Sequence, residues 1–233
     1  MQVNVKPVAK QVVMLSKELL SCSFDLKVSE IAIFLSILGK INQSKELAST
    51  TWFTITSEDL AEVRQVTKRT AEEELKSLED SINTLWESTF TSFDKETGEK
   101  TINRWIISMR KQANSYKIRL HPDIFPYIVQ LRHYFSIPLT KVGRLSHKMS
   151  YRLLFLVLSS MEYTKQKEGT IKIHFPAYLS FLGLDTSSYS SFNNFRQKLC
   201  VPAMEELLKV DILKHIRVTK VSKTDYFLVH WAI

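Results

Sequence analysis

Glycine and cysteine are both scarce in this chain: 233 residues hold five glycines and two cysteines. Cys22 and Cys200 are far apart and no Cys-x-x-Cys is present, which argues against a disulfide scaffold and for a reducing compartment. Cys200 stands in an apolar helical context and reads as a small buried residue. There is no Gly-Lys-Ser/Thr, so a phosphate loop for ATP is not expected, and neither His-Glu-x-x-His nor Gly-x-Ser-x-Gly occurs. No two of the six histidines lie within three residues of each other, a spacing that argues against a paired-histidine metal site. Catalytic residues, metal ligands and cofactors are therefore not expected. No run of 18 apolar residues occurs, and the opening Met1-Gln-Val-Asn-Val-Lys6 lacks a basic region followed by an apolar core. Neither a membrane helix nor a secretory signal is expected, and the expected location is cytoplasmic.

What the chain does have is the make-up of a folded protein, 44% hydrophobic and 24% charged. Its length permits two domains of ordinary size. The net charge of +8 is unevenly spread. Met1 to Asn114 carries 15 Lys/Arg and 16 Asp/Glu, a net of −1, whereas Ser115 to Ile233 carries 17 and 8, a net of +9. A basic half favours polyanions, without separating nucleic acid from anionic membrane by itself. The coincidence of that charge with one particular helix favours nucleic acid.

That helix lies within Tyr189 to Lys209. Phe192, Phe195, Leu199, Ala203 and Leu207 fall three or four apart and form one apolar stripe. At about 100° per residue, Asn193, Asn194 and Gln197 project from the opposite face, flanked by Lys198. In the major groove, Asn and Gln can bond adenine through two hydrogen bonds, and Lys can reach guanine or phosphate. Base contacts are expected from Ser190, Asn193, Asn194 and Gln197, and phosphate contacts from Tyr189 and Lys198. Arg196 faces the buried flank and is open between a phosphate contact and a structural ion pair. The alternative for the whole set is an ordinary solvated helix face. Phe192 and Phe195 read as core, not as stacking platforms for single strands.

Periodicity along the chain predicts helices over Val13–Leu20 and Leu26–Ile41, and a strand over Trp52–Ile55. A helix capped by Ser57 and running to Arg64 follows, then one capped by Thr67 and running to Ile82 with a core stripe of Ala71, Leu75, Leu78 and Ile82. Strands Leu85–Phe93 and Thr101–Lys111 flank a turn at Asp94–Gly98, and a third strand, Tyr116–Leu120, precedes a helix started by Pro122. The same order recurs: a helix over Ser146–Lys165, a strand over Thr170–His174, a short helix over Pro176–Leu182, and the amide-bearing helix, which Pro202 must kink or restart. Strands Ile212–Val221 and Thr224–Ala232 close the chain. Trp52, Trp86, Trp105 and Trp231 fall on these strands or beside them and are expected to pack. Helix, strand, two helices and a hairpin is the order of a winged helix-turn-helix. The expectation is an α+β fold of two tandem winged helix-turn-helix domains, residues 1–136 and 137–233, joined through Ile137–Leu145.

At this level the chain resembles the plasmid replication initiators of the Rep type, which bind iterons and contain two winged-helix domains. The resemblance runs from about Met14 to Trp231. It is carried by Ser16-Lys-Glu-Leu19 with Phe24-Asp-Leu26 and Glu30, by Arg104-Trp105-Ile106, by Leu120-His-Pro122-Asp-Ile124-Phe-Pro126-Tyr127 and by Met149-Ser-Tyr-Arg152-Leu153. Tyr189, Phe192, Phe195-Arg196-Gln-Lys198, Pro202-Ala203 and Glu206 complete it. Leu154-Phe155 stand where the family often has Tyr-Glu. The resemblance implies binding to repeated duplex DNA at a plasmid origin, local duplex opening and recruitment of host replication proteins. It also implies a homodimer through the N-terminal domain, with dimers repressing their own gene.

In the wing of the second domain, Lys220 and Lys223 are candidates for phosphate or minor-groove contact. In the first domain the candidates are Lys68, Arg69 and Lys76, which share their surface with Glu72, Glu73 and Glu74. Acidic neighbours repel phosphate, and the pairs Arg69–Glu73 and Glu72–Lys76 can serve the helix alone. Weaker DNA contact is therefore expected here, or contact with another protomer. A winged-helix transcription regulator uses the same chemistry as an initiator and is the alternative reading. A rolling-circle enzyme disagrees with the histidine spacing. A protein-interaction module disagrees with the +9 half.

Overall fold

The computed structural model describes residues 11–16, 19–20, 23–24, 26–41, 47–64, 70–93, 97–129, 131, 134–161, 167–184, 187, 189 and 191–233. The chain divides into two compact units, Met1–Arg144 and Leu145–Ile233.

In the first unit, β1 (Val12–Leu15) pairs antiparallel with β8 (Phe135–Pro138), and β2 (Ser23–Phe24) joins the edge of a small sheet. The helix α1 (Val28–Lys40) is buried along nearly its whole length, with Ile33, Leu35 and Ile37 wholly inaccessible to water. Each such side chain contributes about 1.5–3 kcal/mol of burial. Then come β3 (Phe53–Thr56), α2 (Ser57–Arg64) and α3 (Ala71–Glu87). Leu60 and Val63 of α2, and Leu78, Ile82 and Leu85 of α3, close the core against α1. The strands β4 (Thr89–Phe93), β5 (Lys100–Arg104), β6 (Ile106–Gln112) and β7 (Ser115–Leu120) follow. They form two sheets, ordered β2-β4-β5 and β3-β7-β6. Pro122–Tyr127 is a 3-10 turn, and α4 (Leu139–Val142) ends the unit.

Several expectations are corrected here. Val13–Leu20 opens as strand β1, since pairing with β8 overrides the weak helical pattern. Thr56, not Ser57, caps α2: its hydroxyl accepts from the Asp59 N–H at 3.1 Å, and the Asp59 carboxylate accepts from the Thr56 N–H at 2.9 Å. Thr70, not Thr67, caps α3 in the same reciprocal way with Glu73, and α3 runs on to Glu87, so Trp86 is helical. The single strand expected over Thr101–Lys111 is two strands in different sheets, parted at Trp105. The Trp105 ring is wholly buried, 4.8 Å from the Phe34 ring and 5.0 Å from that of Phe90, and its indole N–H donates to the Thr89 carbonyl at 3.2 Å. The strands before and after Gly98 do pair, as β4–β5, but the hairpin that shares a sheet with β3, as β10–β11 does with β9, is β6–β7 with its turn at Ala113-Asn114, and it is the wing of this unit. The segment Ile137–Leu145, expected as the link, is packed on its first-unit side. Ile137 pairs with Val13, Leu139 and Val142 are buried, and a methyl at Gly143 would run into the Val63 carbonyl.

The second unit holds α5 (Lys148–Ser160), β9 (Glu168–His174), α6 (Phe175–Phe181), α7 (Phe192–Phe195), a π-turn (Arg196–Cys200), α8 (Val201–Lys209), β10 (His215–Lys220) and β11 (Tyr226–Ala232). The sheet order is β10-β11-β9, all antiparallel, which leaves β10 at an edge. Helices followed by a hairpin over a three-stranded sheet make this unit, like the first, a winged helix, and the fold class is α+β. Among the described residues, no helix is long and apolar enough to cross a membrane.

Candidate nucleic-acid interface

The amide-bearing helix is oriented by its aromatic side. Phe195 is wholly buried and Phe192 nearly so, in a cluster with Phe175, Tyr178 and Phe227 whose ring centroids stand 5.2–6.3 Å apart. Turning those rings inward leaves Asn193, Gln197 and Lys198 exposed, with Asn194 and Arg196 half-buried. The helix restarts at Pro202 as expected: α8 begins at Val201, with Pro202 in its first turn. The turn before it widens, and the Val201 N–H closes on the Arg196 carbonyl, five residues back. The wider turn also shifts the apolar stripe. Cys200, five residues after Phe195, is wholly buried, while Leu199 is only half so. Burial pushes the Cys200 thiol up to about 12, which keeps it protonated and unreactive.

Tyr189 packs edge-on against Phe195, with centroids 6.0 Å apart, and is half-buried. Ser190 lies outside the described residues. Arg196 is tied to the wing: its Nε donates to the Val218 carbonyl at 2.9 Å, across the open edge of β10. Arg196 thus has a structural partner, a carbonyl and not the carboxylate of an ion pair. Lys220 is exposed at the end of β10, and Lys223 is exposed in the tip with a left-handed φ of 57°. Between the start of α7 and β10 lies an open cleft of about 600 Å³, lined among others by Ser191, Asn193, Arg196, Arg217, Thr219 and Lys220. Arg217 was not singled out from sequence. It alternates with the buried Ile216 and Val218, so strand periodicity marks it as outward-facing.

Glu206, on α8, accepts from the Ser146 N–H at 2.7 Å, the Ser146 hydroxyl at 2.6 Å, the His147 N–H at 3.2 Å and the Ser150 hydroxyl at 2.5 Å. Partial burial pushes its pKa up, but these four donors outweigh that and hold the carboxyl below the usual carboxylate range. The contact fixes the helix that carries the amides to the start of α5.

In the first unit, Lys76 is exposed on α3 and Lys68 and Arg69 lie outside the described residues. Glu72 and Glu73 are exposed beside Lys76, and Glu73 is engaged in the cap with Thr70. The wing here carries its own cations. Arg110 and Arg119 stand 4.5 and 5.6 Å from the Trp52 ring, and Lys111 pairs with Glu79 at 2.7 Å. Among the described residues, no group of three or more His, Cys, Asp or Glu could hold a metal ion.

The family described as initiator replication protein, WH1, matches residues 12–154. The chain belongs to that family. Its likeness to solved structures extends over both units. A Pi initiator protein crystallised with iteron DNA is 18% identical over 97% of this chain and 98% of its own, with a TM-score of 0.75. A structure of domains 2 and 3 of RctB is 10% identical over 99% of this chain and 95% of its own, with a TM-score of 0.54. At these identities the likeness is one of fold. No curated protein matches the chain.

Proposed function

We propose that this initiator binds repeated duplex DNA sites at a plasmid origin, in the cytoplasm, by inserting the start of its second-unit helix into the major groove. The observation that carries the reading is the exposed row Asn193, Gln197 and Lys198, set beside a wing that presents Arg217, Lys220 and Lys223. Amides read base edges there, while the cations meet backbone phosphates. The crystallised Pi initiator, of the same fold, was solved on iteron DNA, which supports the repeat as ligand. The chain acts by binding, not by catalysis: it promotes opening of the origin and recruits host replication proteins. Dimers formed through the first unit repress the initiator's own gene. In the first unit, Lys76 with Lys68 and Arg69 adds backbone contact weakened by Glu72 and Glu73.

The experiment is selection of bound duplexes from a random library, followed by titration at two salt concentrations. A recovered motif spanning two adjacent groove contacts, with steep salt dependence, is the expected result. Tandem copies of that motif in the source replicon separate an initiator from a transcription regulator. Weak binding without a motif refutes origin recognition.

A further inference from the structure

We infer that the cleft between the start of α7 and the free edge of β10 seats one backbone phosphate of the DNA, held jointly by Arg217 and Lys220. The inference rests on the reading of the second unit as a duplex-DNA binder. Arg196, Arg217 and Lys220 all line the cleft, Ser191, Thr219 and Asn193 add hydroxyl and amide groups, and among the described residues no carboxylate is in its walls. Cations gathered without a counter-charge repel one another, and a single anion between them reverses that repulsion. Arg196 is already engaged: its bond to the Val218 carbonyl is a strut that holds the helix and the strand edge at a fixed separation. Arg217 and Lys220 stand three apart on β10, so they leave from opposite faces of the strand and bracket the cleft from two sides. Hydroxyl donors beside two cations suit the several acceptor oxygens of a phosphodiester. Asn193 sits at the lip, one turn from Gln197, so a phosphate seated here sets the depth and register at which the amides meet the bases.

The test uses Arg217→Gln, Lys220→Gln and the double variant in the full chain, titrated against the selected duplex and a scrambled one over a salt series. In parallel, the selected duplex carries an uncharged methylphosphonate at each backbone position in turn. Both side chains are exposed, and a melting curve for each variant checks that the fold is kept. One shared phosphate predicts that the double variant loses affinity for both duplexes alike, by roughly ten-fold at moderate salt, and that its salt slope flattens by about one ion, not two. It also predicts one methylphosphonate position that weakens the wild type and does nothing further to the double variant. A loss of about two ions assigns the cations to separate phosphates and overturns the shared seat. An unchanged slope with every position equally effective in wild type and variant overturns it as well, while leaving the DNA reading intact. Absence of salt-dependent duplex binding by the wild type removes both.

Discussion

Replacing Glu206 by Gln tests how the second unit holds its DNA-facing helix in place. His147, just before α5, makes no side-chain cap of its own, and the N–H groups of Ser146 and His147 that lead into that helix are held by a carboxylate from α8, some sixty residues away in sequence. A hydrogen bond to a charged group is worth about 1.5–3 kcal/mol when shielded from water. Two serine hydroxyls bound to the same carboxylate add to this, but the site is partly exposed and water recovers some of the loss. The sum for Glu206→Ala is about 1–3 kcal/mol. Gln keeps one acceptor oxygen but loses the charge, and should cost about 1 kcal/mol. The pH dependence fixes the cause. The folded carboxyl lies below its unfolded value, so its contribution is fully present above the unfolded pKa of about 4.3 and is lost as pH falls through the folded value. Gln does not titrate. Denaturant unfolding of wild type and Glu206→Gln should therefore differ by a constant amount from pH 8 down to about 5, and the gap should close below about pH 4. Hydrogen exchange at pH 7 should quicken in the peptide spanning Leu145–Tyr151. A gap that is absent at neutral pH, or that persists undiminished in acid, would refute the carboxylate contact.

Other expectations concern the interface and the first unit. Gln197→Ala should cost roughly 1–3 kcal/mol on the selected duplex and relax preference at one base pair; equal losses on selected and scrambled DNA would assign Gln197 to the backbone. Lys198→Ala should weaken all sequences alike and flatten the salt slope by about 0.9; a loss confined to the selected site would move Lys198 into base readout. Gly143→Ala should destabilise the first unit by about 1–3 kcal/mol, because its Cβ would stand 2.7 Å from a Val63 methyl and 2.9 Å from the Leu139 carbonyl oxygen; an unchanged denaturant midpoint would show that α2 can retreat.

Much of the first unit was legible where apolar residues were dense. The run through α1 left no polar face to misplace, and alternation marked β3 and β7. What failed were boundaries decided by distant partners. Thr67 and Thr70 are both acceptable caps by residue type, and only the reciprocal bond with Glu73 selects Thr70. Trp105 has high strand propensity, so it reads as the middle of one strand. Its burial between Phe34 and Phe90, each remote in sequence, makes it the point where the chain leaves one sheet for another. The wing then moves one hairpin along, and with it the cations that face solvent.

The second unit shows how a correct helix can carry a wrong phase. The stripe Phe192, Phe195, Leu199, Ala203, Leu207 assumes 3.6 residues per turn throughout. A proline at 202 cannot donate to the carbonyl four back, and its ring crowds that carbonyl. The chain resolves the conflict by widening one turn, so the core passes from Phe195 to Cys200 and then resumes through Ala203 and Leu207. Positions before the wide turn keep the faces read from sequence, which is why Asn193 emerges outward as expected. Gln197 and Lys198 lie within it, and both are exposed there. Arg196 begins the turn, at the place where the helix meets the edge of β10, and no sequence period could reveal that its partner is the Val218 carbonyl. The residues that face DNA in this reading are thus placed by two contacts invisible to periodicity, one to the wing and one from Glu206 to the start of α5. Both are made by side chains of the helix itself, so its orientation is set independently of the groove it enters.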